Sequence, residues 1–327
     1  MRLRDLGEFG FIDRISRFSH CSRDDVLLDI GDDCAVVETP SGDRLAVTTD
    51  AMLEGRHFRL DWLTPYEVGS RAMTACLSDV AAMGAEPCFA FASTALPPEM
   101  AVEDAAELMR GVVDQAERFG ACLLGGDTIA AHEHVGLDLM LLGRCRDHIW
   151  RRDGARVGNA VIVTGDIGGS AGAVAARSAG LRDIACWHRY AAPVPRVAQA
   201  AALNGVGEIT SCIDISDGLV QDAGHLCERS GVGITIHAGL LPISEKTRTV
   251  AELLETQPLM WALTGGEDFE LLFTAPPEAA LALQDAAELP LTVVGEVVTG
   301  SGVTVVEDGG RPLVVQSGGW DHFAPRS

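Results

Sequence analysis

Six short acidic motifs recur along the chain: Gly31-Asp32-Asp33, Thr48-Thr49-Asp50, Ser78-Asp79, Gly125-Gly126-Asp127, Asp214-Ile215-Ser216-Asp217-Gly218 and Gly265-Gly266-Glu267-Asp268. Most lie beside glycine at the ends of apolar runs, where a carboxylate projects from a fixed backbone into a cleft. Hard cations such as Mg²⁺ bind at such places through carboxylates, water and substrate phosphates, so the set reads as a multi-metal phosphate site. Its complement is a scarcity of lysine: Lys246 is the only one in 327 residues, in Ser-Glu-Lys-Thr-Arg and not in a glycine loop. A Walker A loop and a protein-kinase strand lysine are thereby excluded, since both place a lysine on the phosphates. If ATP is handled, metal ions and arginine must neutralise its charge.

Taken singly the motifs differ in strength. Leu45–Asp50 reads as an apolar strand delivering two hydroxyls and a carboxylate at its C-terminal end, where open α/β sheets present ligands. Cys122–Thr128 repeats that pattern, with two glycines that let the backbone approach a phosphate closely. Asp79, between Leu77 and Val80, lies on an otherwise apolar helix face, a costly place for a carboxylate unless it is paired or metal-bound. Gly31-Asp32-Asp33 alone fits an ordinary turn equally well, and in Asp214–Leu219 either Ser216 or Asp217 could be only a helix cap. The glycine loop Gly165–Gly172 opens a helix; phosphate binding and tight strand-to-helix packing account for it equally. Nine dispersed cysteines with no C-x-x-C pair read as buried thiols in a reducing compartment, not as zinc ligands or disulfides. His132-Glu133-His134 lacks the helical spacing of a zinc protease and reads as an exposed turn.

The elements that must position these groups alternate. Strands are expected at 34–37, 45–49, 88–95, 122–124 and 137–143, with helices near 65–83 and 98–119; the second helix has Ala105, Leu108, Val112, Ala116 and Phe119 on one face and Gly120 after its end. The class is α/β or α+β. The arginine-rich stretch 144–158 is the best boundary, giving an N-terminal domain over 1–148 and a C-terminal one over 149–327. Strands at 160–164, 233–237, 269–274, 291–297 and 303–306 follow, with helices between them and after Asp217. A 327-residue chain suits about two domains, and 47% hydrophobic content is ample for their cores. A formal net charge of −22 repels nucleic-acid phosphates and anionic membranes, so neither is an expected partner. No apolar run approaches a membrane span and Met-Arg-Leu-Arg-Asp-Leu-Gly lacks a signal peptide's core, so a cytoplasmic location is expected.

The ordered set GDDCAVV (31–37), TTDAMLEGRHF (48–58), LSDVAAMGAEP (77–87), GGDT (125–128), DISDGL (214–219), GGEDFELLFT (265–274) and GWDHF (319–323) resembles thiamine-monophosphate kinase over nearly the whole chain. The resemblance implies a two-domain fold like that of aminoimidazole ribonucleotide synthetase, a homodimer formed through the N-terminal sheet, and phosphorylation of thiamine monophosphate by ATP with several Mg²⁺ ions, the last step to thiamine diphosphate. By motif it implies Asp33, Thr48, Thr49, Asp50, Asp79, Asp127, Asp214 and Asp217 at or beside the metal ions, with Asp50, Asp79, Asp127 and Arg152 carrying catalysis. Gly126, Arg152 and Ser216 would contact ATP; His57, Glu267 and Trp320 would contact thiamine monophosphate. Arg151 competes with Arg152 for its role, and Arg56 stands where relatives often carry a small or apolar residue. Selenophosphate synthetase is disfavoured by the absence of cysteine in the first twenty residues, and a hydrogenase-maturation relative by the ending Phe-Ala-Pro-Arg-Ser. Aminoimidazole ribonucleotide synthetase is disfavoured by Thr49-Asp50-Ala51-Met52-Leu53 where a Gly-Val-Gly-Thr-Lys pattern would stand. Another ATP-using enzyme of the superfamily, or a non-catalytic Mg²⁺ or nucleotide-binding regulator, is the alternative.

Overall fold

Two sheets, one in each half of the chain, carry the acidic motifs. The computed structural model describes every residue except Met1, His20, Asp147, 316–318, 320–322 and 324–327. The first half comprises α1 (Leu3–Leu6), α2 (Glu8–Ser16), β1 (Val26–Leu28), β2 (Ala35–Glu38), β3 (Arg44–Leu53), α3 (Pro65–Ala82), β4 (Glu86–Leu96), α4 (Val102–Arg118), β5 (Cys122–Ala130) and β6 (Gly136–Arg144). Its strands pair in the order β1-β2-β3-β6-β4-β5, antiparallel except for β4 with β5.

Period-two alternation decides which face each side chain takes. Ala46, Thr48 and Met52 of β3, Leu139 and Leu141 of β6, and Ala90 and Ala92 of β4 are buried toward the helices. Thr49, Ala51, Asp138, Met140, Phe91 and Ser93 alternate with them on the exposed face. Helix α3 starts where Thr64 accepts the Glu67 N–H and the Glu67 side chain returns to the Thr64 N–H, with Pro65 in the first turn. It packs tightly on α4, where a Cβ on Gly69 would lie 1.9 Å from the Leu108 carbonyl oxygen. On its other side α3 also touches the second half.

That half comprises β7 (Ala160–Thr164), α5 (Gly169–Ser178), α6 (Trp187–Ala191), α7 (Val197–Leu203), β8 (Ser211–Asp214), α8 (Leu219–Ser230), β9 (Gly233–His237), α9 (Glu245–Leu253), α10 (Pro258–Thr264), β10 (Leu271–Ala275), α11 (Ala280–Ala286), β11 (Leu291–Val298), β12 (Gly302–Val306) and β13 (Pro312–Leu313). The sheet order is β13-β12-β9-β11-β7-β10-β8, and only β12 with β9 is parallel. Strands β7, β8 and β10 are buried along their whole length, as strands covered on both faces are. Because α3 lies between the sheets, touching β3 and β6 on one side and β8 and α7 on the other, Asp79 near its end sits where the halves meet.

Three expectations are corrected. The strand at 45–49 continues to Leu53 and that at 122–124 to Ala130, so Asp50 and Gly125-Gly126-Asp127 lie inside strands and not at their ends. On β3 and β5 the face a residue takes, not a strand C-terminus, therefore decides where its side chain goes. The helix expected from residue 98 begins at Val102, and β1 and β8 were not foreseen because each is only three or four residues long. Five cysteines are buried free thiols, but Cys21 and Cys122 are exposed. His132-Glu133-His134 is an exposed turn between β5 and β6.

Candidate active site

Asp33 arrives from the loop before β2, Asp79 from the last turn of α3 and Asp214 from the end of β8, and their carboxylate oxygens lie within 4.8 Å of one another. Each has a support. Thr48 Oγ1 donates to Asp79 Oδ2 at 2.5 Å, and Ser78 Oγ donates to Asp214 Oδ2 at 2.5 Å. Arg152 donates through Nη2 to Asp33 Oδ1 at 2.5 Å and through its backbone N–H to Asp32 Oδ2 at 3.1 Å. Arg151 turns away to Asp153. Burial first, then the Asp33 charge, pushes Asp214 up to about 7; burial, then Asp214, Asp33 and Asp50, pushes Asp79 well above the carboxylate range. Asp33 Oδ2 is buried without a hydrogen-bond partner. An unpaired acceptor among three converging carboxylates fits a hard divalent cation bound by oxygen.

Asp50, on the helix-facing side of β3, is raised to about 7 by burial and then by Glu267, Asp138 and Asp217, with Arg71 opposing. Glu267 comes from the loop between α10 and β10, whose backbone is strained: Glu267 has φ 64° and Phe269 φ 51°. The Glu267 N–H donates to the Ser216 carbonyl at 2.8 Å and the Phe269 N–H to that of Ile215 at 3.0 Å, fastening the loop to the Asp214–Asp217 segment. The Glu267 carboxylate accepts from Arg71 Nη2 at 2.5 Å, and Arg71 Nη1 donates to the Tyr190 carbonyl. The Tyr190 hydroxyl donates to the His57 carbonyl at 3.2 Å, and His57 Nδ1 accepts the Leu53 N–H at 2.9 Å. Gln221 donates to Asp217 Oδ2 at 3.0 Å, and Gly319 lies against Gln221. Trp320 lies outside the described residues.

Other residues are not brought to this cluster within the chain. Thr49 takes the exposed face of β3, opposite Thr48 and Asp50. Asp127 pairs in register with Ser93, which pairs with Asp138, so its side chain belongs to the exposed face of the sheet, three strands beyond β3. An open cavity of about 510 Å³ runs beside it, lined by Gly125 to Thr128, Met109 and Thr94. Gly126 has a structural reason of its own: at φ 155° a Cβ would stand 1.7 Å from the Ala92 carbonyl oxygen.

Neither Ser216 nor Asp217 caps α8. Gly218 is its N-cap, and the Asp217 and Gly218 N–H groups are accepted by Asp222. The glycine loop resolves toward packing, because the α5 N-terminus already holds an anion: Asp268 accepts the Gly168 and Ser170 N–H groups at 2.6 and 3.2 Å. Sequence reasoning passed over Arg71, Tyr190 and Asp222. The signal for Arg71 was present, since it is a charge among Gly69, Ala72, Met73 and Leu77, the same argument that singled out Asp79.

Residues 31–145 match the AIR synthase related protein N-terminal domain and residues 156–308 the AIR synthase related protein C-terminal domain. The chain is 36% identical to thiamine-monophosphate kinase of Aquifex aeolicus over 99% of its length and 100% of that protein's. It is 35% identical to the thiamine-monophosphate kinase of Escherichia coli K12, covering 97% of this chain and 98% of that one. Among solved structures it is similar to AaThiL complexed with AMPPCP and TMP, at 35% identity and a TM-score of 0.87, over 98% of this chain and 99% of that one.

Proposed function

The chain belongs to the thiamine-monophosphate kinase family, and we infer that it transfers the terminal phosphoryl group of ATP to thiamine monophosphate, giving thiamine diphosphate and ADP. The observation that carries this reading is the convergence of Asp33, Asp79 and Asp214, with the unpaired Asp33 Oδ2, where the two halves of the chain meet. The acceptor is a phosphate oxygen already ionised at neutral pH, so no side chain need remove a proton from it. The obstacle is repulsion between two polyanions. Mg²⁺ held by these carboxylates would offset that repulsion and align the phosphates for in-line transfer.

Asp33, Asp79 and Asp214 are assigned as ligands, with Thr48 orienting Asp79, and with Asp50 and Asp217 extending the acidic lining. Arg152, fixed by Asp32 and Asp33, and Ser216 are assigned to the nucleotide. His57, Glu267 and Trp320 are assigned to the acceptor, the indole stacking on the thiazolium cation. The two domains are taken as 1–148 and 149–327. With Mg²⁺ and ATP, the purified protein is expected to form thiamine diphosphate and ADP in equal amounts, read by chromatography. Trp320→Ala should raise the KM for thiamine monophosphate roughly 3- to 30-fold with little change in that for ATP. Free phosphate without thiamine diphosphate would remove the reaction; equal weakening of both substrates would return Trp320 to an anchoring role.

The exposed face of the first sheet is assigned to a second copy of the chain. Leu53, Phe89, Phe91, Leu124, Ile129 and Met140 are all exposed on the first sheet, a density of large apolar side chains that marks a protein interface. Thr49 and Asp127 share the exposed face, so their part in the nucleotide site depends on that partner copy, as does that of Gly126 beside Asp127. Sedimentation velocity should show a dimer that Phe91→Glu converts to monomer with lost activity. A monomeric, fully active wild type would sink the assignment.

A further inference from the structure

Arg71 is the largest fully buried side chain among the described residues, and no role above belongs to it. Its side chain starts on α3 in the first half and makes both of its hydrogen bonds to the second. Nη2 reaches Glu267 Oε1 at 2.5 Å, Nη1 reaches the Tyr190 carbonyl, and the guanidinium carbon stands 4.1 Å from the centroid of the Tyr190 ring. A buried charge is retained only where its partners hold it well, and the planar guanidinium can serve two partners at once where an ammonium serves as a point charge.

We propose that Arg71 is a positioning residue for the acceptor, holding Glu267 directly and His57 through Tyr190. The proposal rests on the reading of Glu267 and His57 as contacts to thiamine monophosphate. Glu267 needs a hold, because its left-handed backbone persists only where neighbours over-determine it. Its side chain remains 30% exposed, so an acceptor can reach the carboxylate that Arg71 orients. One side chain therefore ties the acceptor contacts of both halves together, and substituting it should weaken the acceptor and leave the nucleotide alone.

The test compares R71K, R71M, E267Q and R71M/E267Q by steady-state kinetics in both substrates, with melting temperatures. R71K is expected to raise the KM for thiamine monophosphate about 10- to 30-fold and to leave that for ATP within about twofold, since lysine lacks the fork that serves both partners. In the E267Q background, changing Arg71 should add less than about threefold, as residues acting as one unit do. Should R71M fail to fold, R71K at a near-native melting temperature carries the comparison. Equal loss for ATP, full additivity of R71M and E267Q, or an unchanged R71K overturns the inference while the wild type still turns over. A wild type that does not use thiamine monophosphate overturns the proposed function, and this inference with it.

Discussion

Asp79→Asn and Asp214→Asn proteins are expected to turn over at least about 100-fold more slowly than wild type while melting no lower, since a ligand of a phosphoryl-transfer metal contributes several kcal/mol to the transition state. The two halves of that result have different causes. Activity falls because an amide is a poor, neutral donor to a hard cation where a carboxylate is needed. Stability holds because the metal-free cluster opposes folding: Asp33, Asp79 and Asp214 crowd within 4.8 Å, and burial with like charge raises the latter two. Near-wild-type turnover at saturating Mg²⁺, or unfolding of both variants, would reassign these residues to structure.

The same cluster sets a pH dependence for the metal-free protein. Asp50 and Asp214 titrate near 7 in the fold against an ordinary 3.8. Between those values the folded state binds more protons than the unfolded one, so stability is fullest near pH 4 and falls as pH rises toward about 7. Mg²⁺ at about pH 7.5 should recover the loss by binding only the folded state. Melting temperatures in chelator that rise from about pH 5 to 7.5 would show that other groups, not this cluster, govern the pH dependence.

Asp79 was legible because a carboxylate inside an apolar helix face has few bland explanations, whereas Asp214 was legible only as part of an acidic motif at the start of a helix. Sheet geometry was less legible. Whether Asp127 and Asp50 share a face depends on the bulge between Ala90 and Phe91 and on the pairing of β4 with β6, both long-range features that local pattern does not encode. Reading 45–49 and 122–124 as whole strands followed from their short apolar runs, because the polar and glycine-containing second halves of β3 and β5 look like loop. The glycine loop stayed ambiguous until its anion was seen: Asp268, about a hundred residues later, supplies it. Arg71 is less legible because its partners, Tyr190 and Glu267, lie 119 and 196 residues further along the chain.

Glu270 closes the same acidic stretch, Gly-Gly-Glu-Asp-Phe-Glu, yet Glu270→Ala is expected to lose stability where Asp214→Asn does not. Its carboxylate is fully buried but satisfied: Thr164 Oγ1 donates at 2.7 Å, Arg189 Nη2 at 2.8 Å, and Arg196 through Nε at 2.5 Å and through Nη2. Removing it takes the nearest carboxylate from two arginines whose side chains are only 10% and 13% exposed, leaving Arg189 the more distant Asp166 at 3.8 Å. Breaking such a buried network typically costs about 3–5 kcal/mol, because buried charges lose their close counterion. For a chain of this size that corresponds to a melting temperature lower by roughly 4–7 °C. Glu307→Ala is the control, since its partner Arg311 is 80% exposed and an exposed pair contributes at most about 1 kcal/mol. Differential scanning calorimetry decides the matter: a Glu270→Ala protein melting within about 2 °C of the Glu307→Ala control would mean that the buried network contributes no more than a surface pair.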